Sequence, residues 1–194
     1  NSHEEIARIS QELSHFDIKL LPPDLNKSDI DFKIEGKDIR YGLNSIKGVS
    51  DKVLQALLEF REDSFDNKYE VFLSAKQAGL NIGTLSALIQ AGLLDSFVSS
   101  NRCRLVLEAQ TFNILTDREK RNFVELGEKY NYDILAAVHE SFKTEAVGDD
   151  NRKLFTDKRF STFRKKYDPY KNIYEMNKTH IKYANWFFEE KLLG

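Results

Sequence analysis

Residues 42–57 read GLNSIKGVSDKVLQAL: a helical pattern ends at Lys47-Gly48-Val49 and another begins at once. A first helix of six residues is too short to stand in water by itself, since isolated helices need roughly 12–15 residues. Packing or a ligand on the turn must therefore stabilise it. Gly48 permits a positive φ and a close approach of the backbone to a phosphate. Ser50 can cap the following helix, and Lys47 and Lys52 add charge on either side. A helix beginning here presents unpaired N–H groups backed by the positive end of its dipole, a phosphate site that reads no base sequence. The same spacing also suits a purely structural αα-turn.

Before this stretch, residues 3–16 place Ile6, Ile9, Leu13 and Phe16 at helical spacing, and Pro22-Pro23 closes that unit. DFKIEGKDIRYGL then alternates around Gly36-Lys37-Asp38, which predicts a small β-hairpin. After it, a helix is expected from Asp51 to about Arg61. KYEVFLSAKQAG predicts another, closed by Gly79, and TLSALIQAG a third, capped by Thr84 and ended by Gly92. A further helix starts near Ser100 or Asn101. Beyond Thr116 the pattern is helical throughout, with Pro169 starting or kinking one helix and 145–151 the best linker. Units 42–60 and 84–108 each place a glycine where one helix ends and a polar cap where the next begins. The fold class is therefore mainly α: a tandem helix-hairpin-helix domain with one small β-hairpin near the N-terminus and additional C-terminal helices. Its expected division is 1–110 for the hairpin region and 111–194 for a divergent helical region.

The totals set limits on function. A chain of 194 residues, 41% hydrophobic and 31% charged, can bury a core, and its apolar runs fall short of the roughly 18 residues of a membrane span. A single cysteine, Cys103, excludes an internal disulfide framework and suits a reducing compartment, so a cytoplasmic setting is expected. The histidines and Cys103 show no metal-ligand spacing. Charge is segregated: 151–194 holds 11 Lys and Arg against 5 Asp and Glu, leaving 18 against 26 in the first 150 residues. The basic part can face phosphates or an acidic partner, or be a solvated helix surface. A start at Asn1 and an apolar run at the end, WFFEEKLLG, suggest a segment of a longer polypeptide.

The stretch IKLLPPDLNKSDIDFKIEGKDIRYGLNSIKGVSDKVLQALLEFRE (18–62) resembles the region behind the fingers of the bacterial DNA polymerase III alpha subunit. The matching positions are Leu21-Pro22-Pro23-Asp24, Asn26, Ser28, Phe32, Ile39-Arg40-Tyr41-Gly42-Leu43 and Ile46-Lys47-Gly48-Val49. The family's second hairpin resembles Leu85–Phe97 with Asn101 and Arg102, and 184–194 is similar to the lead into its OB-fold. This resemblance implies a domain gripping duplex DNA through backbone–phosphate contacts at Lys47, Gly48, Val49, Ser50 and Lys52, and at Gly92, Leu93, Asn101 and Arg102. It implies no catalytic residue and no cofactor in this segment, the acidic residues and magnesium of the polymerase site belonging to a palm outside it. The rest of the polymerase polypeptide would be a partner. One departure stands out: Ser50 replaces the usual second glycine of the first hairpin, and serine tolerates a positive φ poorly. The divergent region after 105 suggests an outlying relative, such as a phage-encoded one.

In the same family a clamp-binding peptide precedes the OB-fold. NRKLF (151–155) occupies the corresponding place, with Asn151 for the family's glutamine and Leu154 and Phe155 as the apolar pair. Those two side chains can equally pack on the domain. A second function class therefore stays open beside duplex binding: a protein-interaction module that docks a sliding clamp, with structural hairpins. The aromatics after 160 can be core or stacking partners for a single strand.

Overall fold

The computed structural model describes residues 3–97, 101–143 and 153–194. Helix α1 (His3–Ser14) is followed by a three-stranded sheet of β1 (Leu20–Leu21), β2 (Lys33–Glu35) and β3 (Asp38–Arg40), in the order β1-β3-β2. The expected hairpin is the antiparallel β2–β3 pair, with Ile34 opposite Ile39 and Gly36 in the turn at φ +63°. β1 pairs with β3 in parallel, Leu20 opposite Ile39, and at two residues is too short for any alternation to reveal it.

The helices after the sheet are α2 (Asp51–Glu62), α3 (Lys68–Gln77), α4 (Ile82–Gln90), α5 (Arg102–Ile114), α6 (Asp117–Glu125), α7 (Ile134–Ser141), α8 (Asp157–Asn177) and α9 (Ile181–Leu193). From α2 to α8 each opens on a side-chain cap: Ser50, Asn67, Asn81, Asn101, Thr116, Asp133 and Thr156. Each oxygen accepts from a first-turn N–H that would otherwise lack a partner, an effect worth about 1 kcal/mol apiece. Two sequence expectations change here. The cap of α4 is Asn81, which accepts from the Thr84 N–H, so Thr84 lies inside the helix. Pro169 does not start a helix but lies in the interior of α8, which leaves kinking as the expected role that stays open. The linker proposed at 145–151, and Ser100, lie outside the described residues.

Helix α5 packs against α3, α4, α7, α8 and α9, and is buried on several faces, through Leu105, Leu107, Ala109, Thr111 and Phe112. Its buried Glu108 accepts from Lys68 Nζ at 2.7 Å, so this inward carboxylate is paired. One hydrophobic cluster extends from Leu25 to Leu192 and draws on both the hairpin region and the later helices. In the later helices its core is a run of rings, Phe123–Phe155–Phe163–Tyr167, with centroids 5.7, 4.7 and 5.4 Å apart.

The last helix returns to the beginning. The Lys47 N–H donates to the Leu192 carbonyl at 2.9 Å, and the Tyr41 hydroxyl reaches the carbonyls of Leu193 at 2.8 Å and Ser45 at 2.9 Å. These contacts fix the first glycine turn against the C-terminal end of α9.

Candidate functional site

The turn that opened the sequence reading is built from the inside outward. Leu43 and Ile46 are buried and anchor a single 3-10 turn (Leu43–Ser45), which replaces the short α-helix suggested by the pattern. The Val49 N–H closes the turn on the Ile46 carbonyl at 3.1 Å. Gly48 sits at φ +91°, and a Cβ placed there would meet nothing within 4 Å. Glycine is needed for its backbone angle alone, and the space beside it faces outward.

Ser50 adopts φ −78° and ψ 169°, and its oxygen accepts from the Val53 N–H at 3.3 Å. The position of the family's second glycine thus requires no positive φ, and serine fills it as an ordinary cap. Among the described residues the N–H groups of Gly48, Ser50, Asp51 and Lys52 find no acceptor. Lys47, Gly48, Ser50 and Lys52 are exposed and Val49 is half-buried. Four free donors therefore lie at a positive helix end between two exposed lysines. The arrangement can bind an anion, and it holds no group for covalent chemistry.

The second predicted site is arranged differently. Gly92 sits at φ +89° and Asn101 caps α5 as expected. Leu93, however, is wholly buried, and its carbonyl accepts from the Leu25 N–H at 3.0 Å. Arg102 is only 7% exposed and binds Asp95 at 2.7 Å, Glu189 at 2.7 Å and the Gln90 carbonyl at 3.2 Å. Its guanidinium, read from sequence as a phosphate ligand, is a clasp joining α4, α5 and α9. An arginine looks the same in sequence whether it points in or out.

A turn that the sequence reading treated only as a helix end is the closer twin of the first. At Gly79-Leu80-Asn81 the glycine has φ +90°, the next residue is apolar and buried, and the third is an extended cap accepting from its third following N–H. Asn81, Ile82 and Gly83 have N–H groups with no acceptor among the described residues. The signal was present in the sequence as glycine, apolar residue, capping residue, at 48–50 and again at 79–81.

Of the expected clamp peptide, Asn151 lies outside the described residues. Leu154 and Phe155 are 1% and 5% exposed, Phe155 stacking between Phe123 and Phe163. Neither can enter a partner's pocket without leaving the core. The aromatics divide: Phe163 and Tyr167 are core, while Tyr170, Tyr183, Trp186 and Phe187 are exposed. Burial pushes the Cys103 thiol pKa up, so at neutral pH it is a packing group and not a nucleophile. Among the described residues no group of three His, Cys, Asp or Glu is placed to hold a metal ion, and no helix is long and apolar enough to cross a membrane.

Comparison with known proteins matches residues 17–105 to a helix-hairpin-helix motif family. The DNA polymerase III alpha subunit of Thermus aquaticus is 32% identical over 105 residues, covering 53% of this chain and 8% of that protein. That of Aquifex aeolicus is 36% identical over 94 residues, covering 47% and 8%. That of Campylobacter jejuni is 38% identical over 102 residues, covering 50% and 8%. The match thus spans about 8% of the length of each of these relatives. The matched residues include both twin glycine turns and end just inside α5. Residues 17–105 are thus similar to a helix-hairpin-helix motif family, and about half of the chain is similar to part of DNA polymerase III alpha subunits.

Proposed function

We propose that this chain is a duplex-binding segment of a replicative DNA polymerase, holding DNA without sequence preference through the backbone of its first hairpin. The observation that carries this reading is the cluster of unpaired N–H groups at Gly48, Ser50, Asp51 and Lys52, exposed beside Lys47 and Lys52. Donors fixed at a helix start have already lost their entropy, so a phosphate gains them without reordering the loop. The site accommodates the net negative charge of the first 150 residues because its field is local, made by amides, dipole and two lysines. Nucleotide transfer and its magnesium ions are assigned to other parts of such a polymerase. This segment contributes grip on the duplex.

The test is fluorescence anisotropy on a labelled primer–template duplex across a salt series. Binding in roughly the micromolar range or weaker is expected, falling linearly in log–log form as salt rises. After circular dichroism confirms folding, Gly48→Val should abolish binding, because a β-branched residue cannot hold the turn's positive φ. Lys47→Glu should weaken all duplex sequences alike and reduce the salt slope by about one. Binding indifferent to both changes would sink the reading.

A further inference from the structure

Three cations are more than nine-tenths buried among the described residues: Arg40, Arg102 and Lys120, each 7% exposed. Arg40 is forked onto Glu35 at 2.6 Å, and Arg102 onto Asp95 and Glu189. Lys120 makes no such pair. Its ammonium group lies 5.8 Å from the centre of the Phe112 ring, and a second lysine, Lys76, lines the same cavity. Burial and Lys76 together push the Lys120 pKa down, and the one carboxylate acting on it, Asp117, is on the exposed side of α6. Two ammonium groups have six N–H donors and no acceptor between them, so their approach is repulsive unless something anionic lies between.

Both lysines line one cavity of about 310 Å³ between α3, the start of α4, α5 and α6. Phe72, Leu80, Leu85 and Phe112 form its apolar wall, Asn113 adds an amide at the edge, and Gly79, Asn81 and Ile82 bring in the second glycine turn. The free N–H groups of Asn81, Ile82 and Gly83 belong to the same turn and the first residues of α4. We propose that this cavity binds a phosphate-class oxyanion, held by the Lys76 and Lys120 ammonium groups and the N-terminal N–H groups of α4. A tetrahedral anion suits it better than a carboxylate, because the donors lining it come from four different helices, more than two coplanar oxygens can serve. Lys120 comes from α6, outside the matched residues 17–105, so the site combines that region with a helix beyond it. It does not depend on duplex binding at Gly48.

The bound phosphate can be free or part of a nucleic acid, and the experiment separates these sources. Thermal unfolding of the 194-residue chain is followed with pyrophosphate and with sodium chloride at matched ionic strength. Wild type should show a saturable rise in Tm with pyrophosphate alone. Lys120→Met should unfold at a higher temperature than wild type without ligand, because an unpaired buried charge is gone, and should bind pyrophosphate at least about tenfold more weakly. Lys76→Met changes an exposed residue, keeps the fold, and should show the same loss. No saturable rise beyond chloride, or an equal rise in wild type and Lys76→Met, would overturn the site. Displacement of bound duplex by saturating pyrophosphate in wild type, absent in Lys76→Met, identifies the phosphate as one of DNA. Pyrophosphate binding without displacement identifies a free ligand. Gly48→Val should leave pyrophosphate binding unchanged, so failure at the first hairpin is read separately.

Discussion

Gly48 and Gly92 hold almost the same backbone angle, φ +91° and +89°, in opposite surroundings. Beside Gly48 there is open space. Beside Gly92 a Cβ would lie 2.4 Å from an Arg102 guanidinium nitrogen. The first glycine leaves room for something outside the chain, and the second for the chain's own arginine. Sequence shows two glycines between helices, each followed by polar and basic residues. Which turn is left open is decided by the direction of one side chain.

The comparison is broken most strongly at Gly92. Gly92→Ala must both hold a positive φ, costing about 1–3 kcal/mol, and displace a guanidinium from its partners. A total of about 3–5 kcal/mol is expected, a fall in Tm of roughly 6–20 °C for a chain of this size. Next is Arg102→Met, which leaves Asp95 and Glu189 without their cation. Both carboxylates are about half exposed and recover water, so about 2–3 kcal/mol is expected, below the full cost of a broken buried pair. Because shortening the arginine also removes the clash, the double variant should lose clearly less than the sum of the two. Additive losses in thermal unfolding would show that Gly92 and Arg102 are not coupled.

Gly48→Ala is the counterpart. With nothing to strike, alanine incurs only the backbone penalty, about 1–2 kcal/mol, and no coupling to any side chain is expected. Its larger effect should fall on duplex affinity, since a turn relaxed from φ +91° no longer aims the N–H groups of Gly48 and Ser50. A stability loss as large as at Gly92, with duplex binding intact, would erase the distinction between the turns.

Elements whose evidence is local were legible in the sequence. Leu54, Leu57 and Val53 mark one face of α2, and Ser50 and Asn101 announce caps that the structure shows. The β2–β3 hairpin followed from alternation around Gly36. What could not be read depends on distant chain. The strand at Leu20–Leu21 is defined by its partner, and Arg102 is turned inward by Glu189, far along the sequence. Lys76 and Lys120, more than forty residues apart in sequence, line one cavity only in the folded chain. Leu154 and Phe155, which by spacing suited a clamp pocket, are buried, Phe155 between the rings of Phe123 and Phe163. The Gly79 turn is a different case, since its likeness to Gly48 was in plain sight and was read only as a helix ending.

Both turns are also tied to α9, and the weaker tie can be tested by pH. Glu189 binds Arg102 at the second turn, while at the first the Tyr41 hydroxyl shares its proton between the carbonyls of Ser45 and Leu193. Burial pushes the Tyr41 pKa from the usual 10 up to about 12. The folded state therefore keeps a proton that the unfolded chain has already released. Stability from this group is complete below about pH 10 and is lost as pH rises towards 12. Tyr167, pushed up to about 12 by burial and nearby carboxylates, and Tyr69, pushed up further by burial, add to the same loss. Tyr41→Phe should cost about 1 kcal/mol at neutral pH, where one hydrogen bond disappears. Between pH 10 and 12 it should flatten the fall in stability by up to about 1.4 kcal/mol per pH unit, leaving the share due to Tyr69 and Tyr167. Chemical denaturation at a series of alkaline pH values measures this directly. An unchanged slope would mean that Tyr41 ionises as easily in the folded chain as in water, and that α9 is not clasped to the first turn through its hydroxyl.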